Sequence, residues 1–116
     1  MPSRLVVTLC VGAALAGCAT VRGGPGREEP EFVGRSMRVE TAAGQVTILR
    51  FDRDGTVAAR FNERETEGRW SLERRQLCFT WARNFRECWP YTQRFREGRT
   101  VAIRSDRGNA VRVTLR

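Results

Sequence analysis

The chain has 116 residues, enough for one small domain, and its hydrophobic fraction of 41% and charged fraction of 29% are ordinary for a soluble globular protein. Its formal net charge is +8, and all 21 basic residues are arginine, because the sequence contains neither lysine nor histidine. This composition argues against wholesale disorder and a multi-span membrane protein, and it excludes histidine-based acid–base or metal chemistry and lysine Schiff-base chemistry.

The N-terminal segment predicts export and lipid attachment. Met1 to Arg4 form a short positive region, and residues 5–16 form an apolar run of twelve residues, shorter than the roughly 20 that a bilayer span needs. The run ends in Leu15-Ala16-Gly17-Cys18, which resembles the bacterial lipobox, where signal peptidase II cuts before a cysteine that carries diacylglycerol. An ordinary secretory leader that ends near a chance cysteine is the alternative.

The lipobox resemblance implies a signal peptide over residues 1–17 and a lipid on Cys18. It places the protein in the cell envelope, anchored by lipid in the outer membrane and facing the periplasm; Ala19 favours this membrane, since an aspartate there would resemble the inner-membrane retention signal. Residues 18–31 are rich in Gly, Pro and Glu and predict a flexible tether after the lipidated cysteine. The folded domain is expected over residues 32–116.

From residue 32 onward, short alternating segments separated by turn residues predict an all-β domain. Short hairpin-type loops favour a small antiparallel up-and-down meander, curled into a partly closed barrel. The eight candidate strands are Met37–Glu40, Gln45–Phe51, Thr56–Phe61, Thr66–Leu72, Gln76–Trp81, Glu87–Phe95, Arg99–Ser105 and Ala110–Leu115.

The turn that begins at Asp52 resembles a calcium loop only in its first residues. Asp52, Asp54 and Gly55 fit the beginning of an EF-hand, but Thr56 and Val57 occupy the positions that need an oxygen ligand and a glycine. The segment also lies between candidate strands rather than helices. It therefore predicts a hairpin turn, and no metal site is expected.

A recurrent pattern of structural residues runs through the middle of the chain. Gly68-Arg69-Trp70, followed by residues 77–81 (Leu-Cys-Phe-Thr-Trp) and by Cys88-Trp89, resembles a pattern of short secreted bacterial β-domains, often preceded by Asp-Gly-Thr as at residues 54–56. That resemblance covers about half of the mature chain and implies a β-domain but no activity. The Gly-x-Trp element is also similar to that of lipocalins, although there it lies on the first strand and the barrel is followed by a helix.

The cysteines indicate one disulfide in the folded domain. Cys10 lies in the leader and Cys18 takes the lipid, which leaves Cys78 and Cys88 to pair in an oxidising compartment. Their separation does not fit a Cys-x-x-Cys redox centre, and without histidine they make a poor zinc site. Such a pair turns the hairpin around Arg83 and places six large side chains on the opposite face, as core rather than as a ligand pocket: Leu77, Phe79, Trp81, Phe85, Trp89 and Tyr91.

Arginines crowd the last quarter of the chain and predict a cationic face. Such a face would bind anionic lipid, lipopolysaccharide phosphates or an acidic envelope protein, whereas nucleic acid is not expected in this compartment. Alternatively, arginine without lysine reflects a GC-rich codon bias, and the stripe is a solvated surface. The candidate residues are Arg94, Arg96, Arg99, Arg104, Arg107 and Arg112.

No catalytic residue and no cofactor are expected. An enzyme without histidine or lysine would need paired carboxylates, and Glu63, Glu65 and Glu67 are spaced as on one solvated strand face. The leading interpretation is a lipid-anchored envelope-structural or binding module that acts through the cationic face. The alternative is an inhibitor of an exported hydrolase that acts through the hairpin loop Arg83-Asn84-Phe85-Arg86.

Overall fold

The computed structural model describes residues 29–116 as eight β-strands joined by short connections. The predicted signal peptide, Cys18 and nearly all of the predicted tether lie in residues 1–28, outside the described part. The strands are β1 (Ser36–Thr41), β2 (Val46–Phe51), β3 (Thr56–Phe61), β4 (Arg64–Glu73), β5 (Gln76–Trp81), β6 (Phe85–Pro90), β7 (Thr100–Arg104) and β8 (Ala110–Leu115).

All eight strands belong to one antiparallel sheet with the order β6-β5-β4-β3-β2-β1-β8-β7. The first six form a continuous meander, and the β7–β8 hairpin is added to its other side because β8 pairs with β1. The sheet curls into a nearly closed barrel with β6 and β7 as its edges. This confirms the predicted all-β antiparallel meander.

Alternation builds the barrel interior, since every second side chain of a strand points to the inner face. On β8, Val113 and Leu115 are buried while Arg112, beside Val113, is exposed. The strands therefore bury one face and solvate the other. The buried hydrophobic residues form one cluster: Phe32, Met37, Val39, Leu49, Phe51, Val57, Leu77, Phe79, Trp89, Phe95, Ile103, Val113 and Leu115.

The sixth strand differs from its predicted span, Glu87–Phe95, because it runs from Phe85 to Pro90. Proline has no N–H to donate to a neighbouring strand, and the chain leaves the sheet after Pro90. The N–H of Tyr91 donates instead to the carbonyl of Arg75 at 2.8 Å. The following loop folds back over the barrel, which buries Phe95 outside any strand.

The predicted disulfide and its hairpin are confirmed. Cys78 and Cys88 are directly opposed on β5 and β6, with their Cα atoms 4.0 Å apart, and the disulfide joins them. The strands are connected by a one-turn 3₁₀ segment, Ala82–Asn84, in which Arg83 takes a φ of 62°. The hairpin therefore turns around Arg83, as the pairing of the cysteines predicts.

One of the six large side chains predicted to share the core lies outside it. Phe85 is 44% exposed at the rim of the barrel, and the Cζ atom of Arg107 lies 4.4 Å from its ring centroid. The expected core position of Phe85 is wrong because this residue follows the turn directly and sits beyond the packed interior. The other five are buried or packed against the core: Leu77, Phe79, Trp81, Trp89 and Tyr91.

The segment before β1 closes one end of the barrel with an aromatic plug. Phe32 is fully buried, and its ring makes close tilted or edge-on contacts with four others. The centroid distances are 4.7 Å to Phe51, 5.3 Å to Trp70, 5.8 Å to Tyr91 and 6.2 Å to Phe95. This end of the barrel is therefore filled.

Glu31 ties the same segment to the β6–β7 loop. Its carboxylate accepts hydrogen bonds from the Tyr91 hydroxyl at 2.6 and 2.8 Å and from the Phe95 N–H at 2.7 Å. The Arg94 guanidinium lies 3.6 Å away, and only 12% of the Glu31 side chain is exposed. Glu31, the last residue of the predicted tether, thus contacts the barrel.

These contacts predict an alkaline loss of stability that belongs to Tyr91. Burial and the hydrogen bond to Glu31 raise the pKa of Tyr91 well above its ordinary value of 10.0. Because the folded protein then holds this proton more tightly than the unfolded chain, the stabilisation is complete below about pH 10 and falls as the pH rises further. Urea unfolding measured from about pH 9 to about pH 12 should show this decline.

The decline can be assigned because Tyr91 is the only tyrosine and the chain contains no lysine. Tyr91→Phe removes the titrating hydroxyl and should remove the decline. An equal decline in the Tyr91→Phe variant would contradict the assignment.

The gap between the two edge strands is bridged by the β7–β8 turn. The Asp106 N–H donates to the Cys88 carbonyl at 3.0 Å, and the Asp106 carboxylate accepts from the Cys88 N–H at 2.8 Å. The Nε atom of Arg107 donates to the Arg86 carbonyl at 2.8 Å. Polar groups at the edge of β6 are thereby satisfied without a continuous β6–β7 ladder.

The Gly-x-Trp element has a packing role at both of its ends. The Trp70 indole N–H donates to the Asp52 carbonyl and its backbone N–H to the Gly55 carbonyl, each at 2.9 Å. Gly68 lies under the ring of Trp81, so that an added Cβ would come within 2.5 Å of the indole. The pattern recognised in the sequence therefore positions Trp70 against a turn and leaves room for Trp81.

Gly68→Ala should lower the free energy of unfolding by about 1–3 kcal/mol, the usual cost of overpacking a well-packed site. The added methyl group would also lie 2.7 Å from the Thr80 carbonyl oxygen. Because this is a backbone atom of the neighbouring strand β5, it cannot easily move aside to relieve the clash. Chemical unfolding followed by tryptophan fluorescence measures the effect. Thr66→Ala, at an exposed position two residues earlier on β4, is the control and should cost less than about 0.5 kcal/mol.

Candidate functional site

A cavity of about 240 Å³ opens at the end of the barrel opposite the aromatic plug. The two ends are distinguished along β2, where Phe51 packs against Phe32 and Thr47 borders the cavity. Six strands contribute inward-facing residues to the wall, and the β7–β8 turn adds one more. The lining residues are Val39, Thr41, Thr47, Leu49, Ala59, Phe79, Trp81, Glu87, Trp89, Asn109 and Val111.

The cavity exists because the inner positions at this end carry small side chains. Thr41, Thr47 and Ala59 occupy inward positions on β1, β2 and β3. Gly68 on β4, beneath the Trp81 ring, adds no side chain, whereas the closed end contains large residues such as Phe51. An eight-stranded barrel is just wide enough for side chains to fill it or for one small ligand. Small residues at one end therefore leave space in the interior.

Aromatic rings form the wall on the β5–β6 side. The rings of Phe79 and Trp81 stack with centroids 5.9 Å apart and an interplanar angle of 13°. Trp89 meets Phe79 nearly edge-on at 4.8 Å. Phe79 and Trp89 are buried, whereas Trp81 is partly exposed toward the opening. The aromatic cluster predicted as core thus contributes to both the core and the cavity wall.

The polar groups of the wall lie at the rim. The Asn109 side-chain N–H donates to Oε2 of Glu87 at 2.7 Å. The Thr41 hydroxyl oxygen accepts from the Gln45 N–H at 3.1 Å, so it serves the β1–β2 turn. None of the described residues forms an ion pair with Glu87. The cavity therefore combines an apolar interior with one carboxylate near its opening.

The six arginines of the predicted cationic face lie in three parts of the surface. Arg94, Arg96 and Arg99 are in the β6–β7 loop at the closed end, where Arg94 pairs with Glu31. Arg107 is in the β7–β8 turn at the open end, over the Phe85 ring. Anion binding by the six stays a prediction.

Only Arg104 and Arg112 share one outer surface, on the paired strands β7 and β8. They border a shallow groove of about 440 Å³ that also contains Glu40, the strand partner of Arg112. The acidic neighbour lowers the positive potential of this part of the surface.

The predicted inhibitory loop forms a tight turn, and the side chains of Phe85 and Arg86 contact the rest of the domain. Arg83 and Asn84 have positive φ values of 62° and 55°. Arg86 donates to Glu73 at 2.7 Å, and this bond, with a second from Ser71, lowers the pKa of Glu73. Phe85 lies beneath Arg107, all four loop residues are exposed, and inhibition stays a prediction.

The Asp52 turn is held by hydrogen bonds within itself. The Asp54 carboxylate accepts from the Thr56 hydroxyl at 2.8 Å and from its N–H at 3.0 Å, and these bonds lower the pKa of Asp54.

Among residues 29–116, no three metal-binding side chains are grouped so that they could hold an ion. No helix in this part of the chain is long and apolar enough to cross a membrane.

The site's carboxylate, Glu87, is not among the candidate residues predicted above, although the sequence contains a signal for it. Glu87 lies between Arg86 and Cys88, and alternation places it on the inner face with Trp89. A single carboxylate on an otherwise apolar strand face is a mark of a binding site rather than of core packing.

Comparison with known proteins adds no assignment to this geometry. No protein-family model matches the chain, and neither a curated protein nor a solved structure matches it. The resemblance of residues 15–18 to the lipobox, and of the Gly-x-Trp pattern to secreted bacterial β-domains, stays a prediction.

Proposed function

We propose that this protein is a lipid-anchored binding module of the bacterial envelope that takes a small, largely apolar molecule into the open end of its barrel. The observation that carries the proposal is the interior cavity of about 240 Å³ with an aromatic wall and a polar rim. This arrangement is the usual composition of a small-molecule site, in which a few polar groups orient a ligand held by apolar contacts.

The cavity volume limits the size of the ligand. An apolar cavity of about 150 Å³ accommodates benzene, whereas pockets for drug-sized ligands measure about 300–1,000 Å³. The barrel cavity lies between these values at about 240 Å³. A molecule with one ring, or a short alkyl chain, and a small polar group fits this space.

The membrane part of the proposal rests on Leu15-Ala16-Gly17-Cys18. The chain enters the described domain at the closed end, where Glu29 pairs with Arg53 at 2.7 Å. If the tether joins the barrel at this end, the mouth of the cavity lies at the opposite end. In the proposed envelope location, the cavity therefore opens away from the point of attachment.

Titration with phenethyl alcohol tests the binding function. We expect saturable shifts of the indole N–H resonances of Trp81 and Trp89, which line the cavity, and no shift for Trp70 near the closed end. Ala59→Leu fills the cavity from β3 and should abolish the shifts. Absence of binding to the unaltered protein, or equal binding by Ala59→Leu, would refute a ligand site in the barrel.

Fractionation of cells tests the anchor. The protein should sediment with the outer membrane, and Cys18→Ala should remove the lipid and leave an uncleaved or misprocessed precursor. Mass spectrometry of the mature protein provides the direct measurement. An unmodified Cys18 in that protein would contradict lipid attachment.

A further inference from the structure

We propose that Glu87 makes the barrel selective for ligands with a cationic nitrogen, so that the molecule it binds is a small arylalkyl or alkyl amine in its protonated form. This inference rests on the proposed function, because it concerns the ligand class of the same cavity. It is carried by the position of one carboxylate in an otherwise apolar or neutral wall.

Among the described residues that line the cavity, Glu87 is the only acidic one. Its inward position follows from the register. Glu87 is directly opposite Phe79, whose side chain is in the core, while the neighbouring Cys88 points to the other face and forms the disulfide with Cys78. Oε2 is held by Asn109, and no described residue donates a hydrogen bond to Oε1. The bond to Asn109 fixes the carboxylate and leaves an oxygen to accept a hydrogen bond from a ligand.

No arginine is among the described residues that line the cavity. Arg86 precedes Glu87 in sequence but bonds to Glu73 on the outer face. Arg107 is engaged by the Phe85 ring and the Arg86 carbonyl. Arg64, on the inner side of β4, is exposed and does not line the cavity. A cationic ligand therefore finds no guanidinium in the wall that competes for Glu87.

Aromatic faces favour the same ligand charge. Trp81 precedes the turn on β5 and is partly exposed toward the opening, two residues from Phe79, the strand partner of Glu87. Cations are attracted to the faces of indole rings, more strongly where water is excluded. Trp81 and Glu87 line the same cavity, so a protonated amine bound there would lie among aromatic rings as well as beside a carboxylate.

The overall charge of +8 does not reverse this preference. Exposed arginines more than about 8–10 Å from the ligand are largely screened at physiological ionic strength. An amine in hydrogen-bond contact with Glu87 is affected mainly by that carboxylate. The net charge would slow the approach of a cation, whereas the local geometry determines which ligand stays bound.

The test compares three probes of similar size with the full-length protein: phenethylamine, phenethyl alcohol and phenylacetate. We expect the amine to bind at least about tenfold more tightly than the alcohol, and phenylacetate most weakly. Glu87→Gln keeps a side-chain oxygen to accept from Asn109 and should remove the preference for the amine over the alcohol. Glu65→Gln, which removes an exposed carboxylate from β4, is the matched control and should change neither affinity.

The outcomes separate this inference from the proposed function. Binding of the alcohol as tightly as the amine, or an undiminished amine preference in Glu87→Gln, overturns the selectivity and leaves the cavity as a binding site. Failure of all three probes to bind overturns both. The Trp81 and Trp89 indole resonances report the binding, and Trp70 shows that the fold of each variant is intact.

Discussion

Phe32→Ala should lower the free energy of unfolding by about 3–5 kcal/mol, the usual cost of removing a fully buried aromatic ring. Phe32 is 0% exposed, and no strand contains it. Its ring contacts the aromatic side chains of Phe51 on β2, Trp70 on β4 and Phe95 in the β6–β7 loop. The substitution would leave a cavity where these separate elements meet.

Urea unfolding of Phe32→Ala and the unaltered protein measures the loss. Phe85→Ala is the matched control because it removes the same side chain from a position that is 44% exposed. With one cation–π contact to lose, it should cost about 1 kcal/mol or less. Equal losses for the two variants would contradict the role of Phe32 as the plug of the barrel.

The plug also explains why the sequence predicts the strands better than it predicts the ends of the barrel. Alternation in segments such as β8 identifies the inner face locally, and the paired cysteines fix the register of β5 and β6. The contacts of Glu31 with Tyr91 and Phe95 join residues 60 and 64 positions apart. No local pattern around Glu31 indicates such a partner, since the preceding residues are polar and rich in glycine and proline.

The cavity is hard to predict for a related reason. Whether Trp81 packs in a core or lines a cavity depends on the volumes of the residues across the barrel, which belong to other strands. Thr47 and Ala59 are individually ordinary strand residues, and only the register brings both to the open end. Small residues at inward positions, together with one carboxylate on an inner strand face, are the local features of the sequence that belong to this site.

The confirmed disulfide gives the second large expected effect. Replacing both cysteines, as Cys78→Ala/Cys88→Ala, should lower the free energy of unfolding by about 2.7 kcal/mol in the chain-entropy model of cross-link stabilisation. The bond closes a loop between residues ten positions apart. Alanine at both positions avoids burying a hydroxyl group, since Cys78 and Cys88 are only 1% and 3% exposed.

The effect should extend from the hairpin to the seam of the barrel, the gap between the edge strands β6 and β7 that the β7–β8 turn bridges. The backbone N–H and carbonyl of Cys88 are the partners of Asp106, so the disulfide holds in place the strand edge to which the β7–β8 turn is bound. Hydrogen exchange in the double variant should therefore accelerate at the amides of residue 88 and Asp106 more than at Val39 in the β1–β2 ladder. Urea unfolding gives the global loss, and a uniform acceleration at all three amides would show that the disulfide stabilises the whole barrel without a specific effect on the seam.

Because Asn109 of the same turn holds Glu87, the local opening should also weaken amine binding more than alcohol binding.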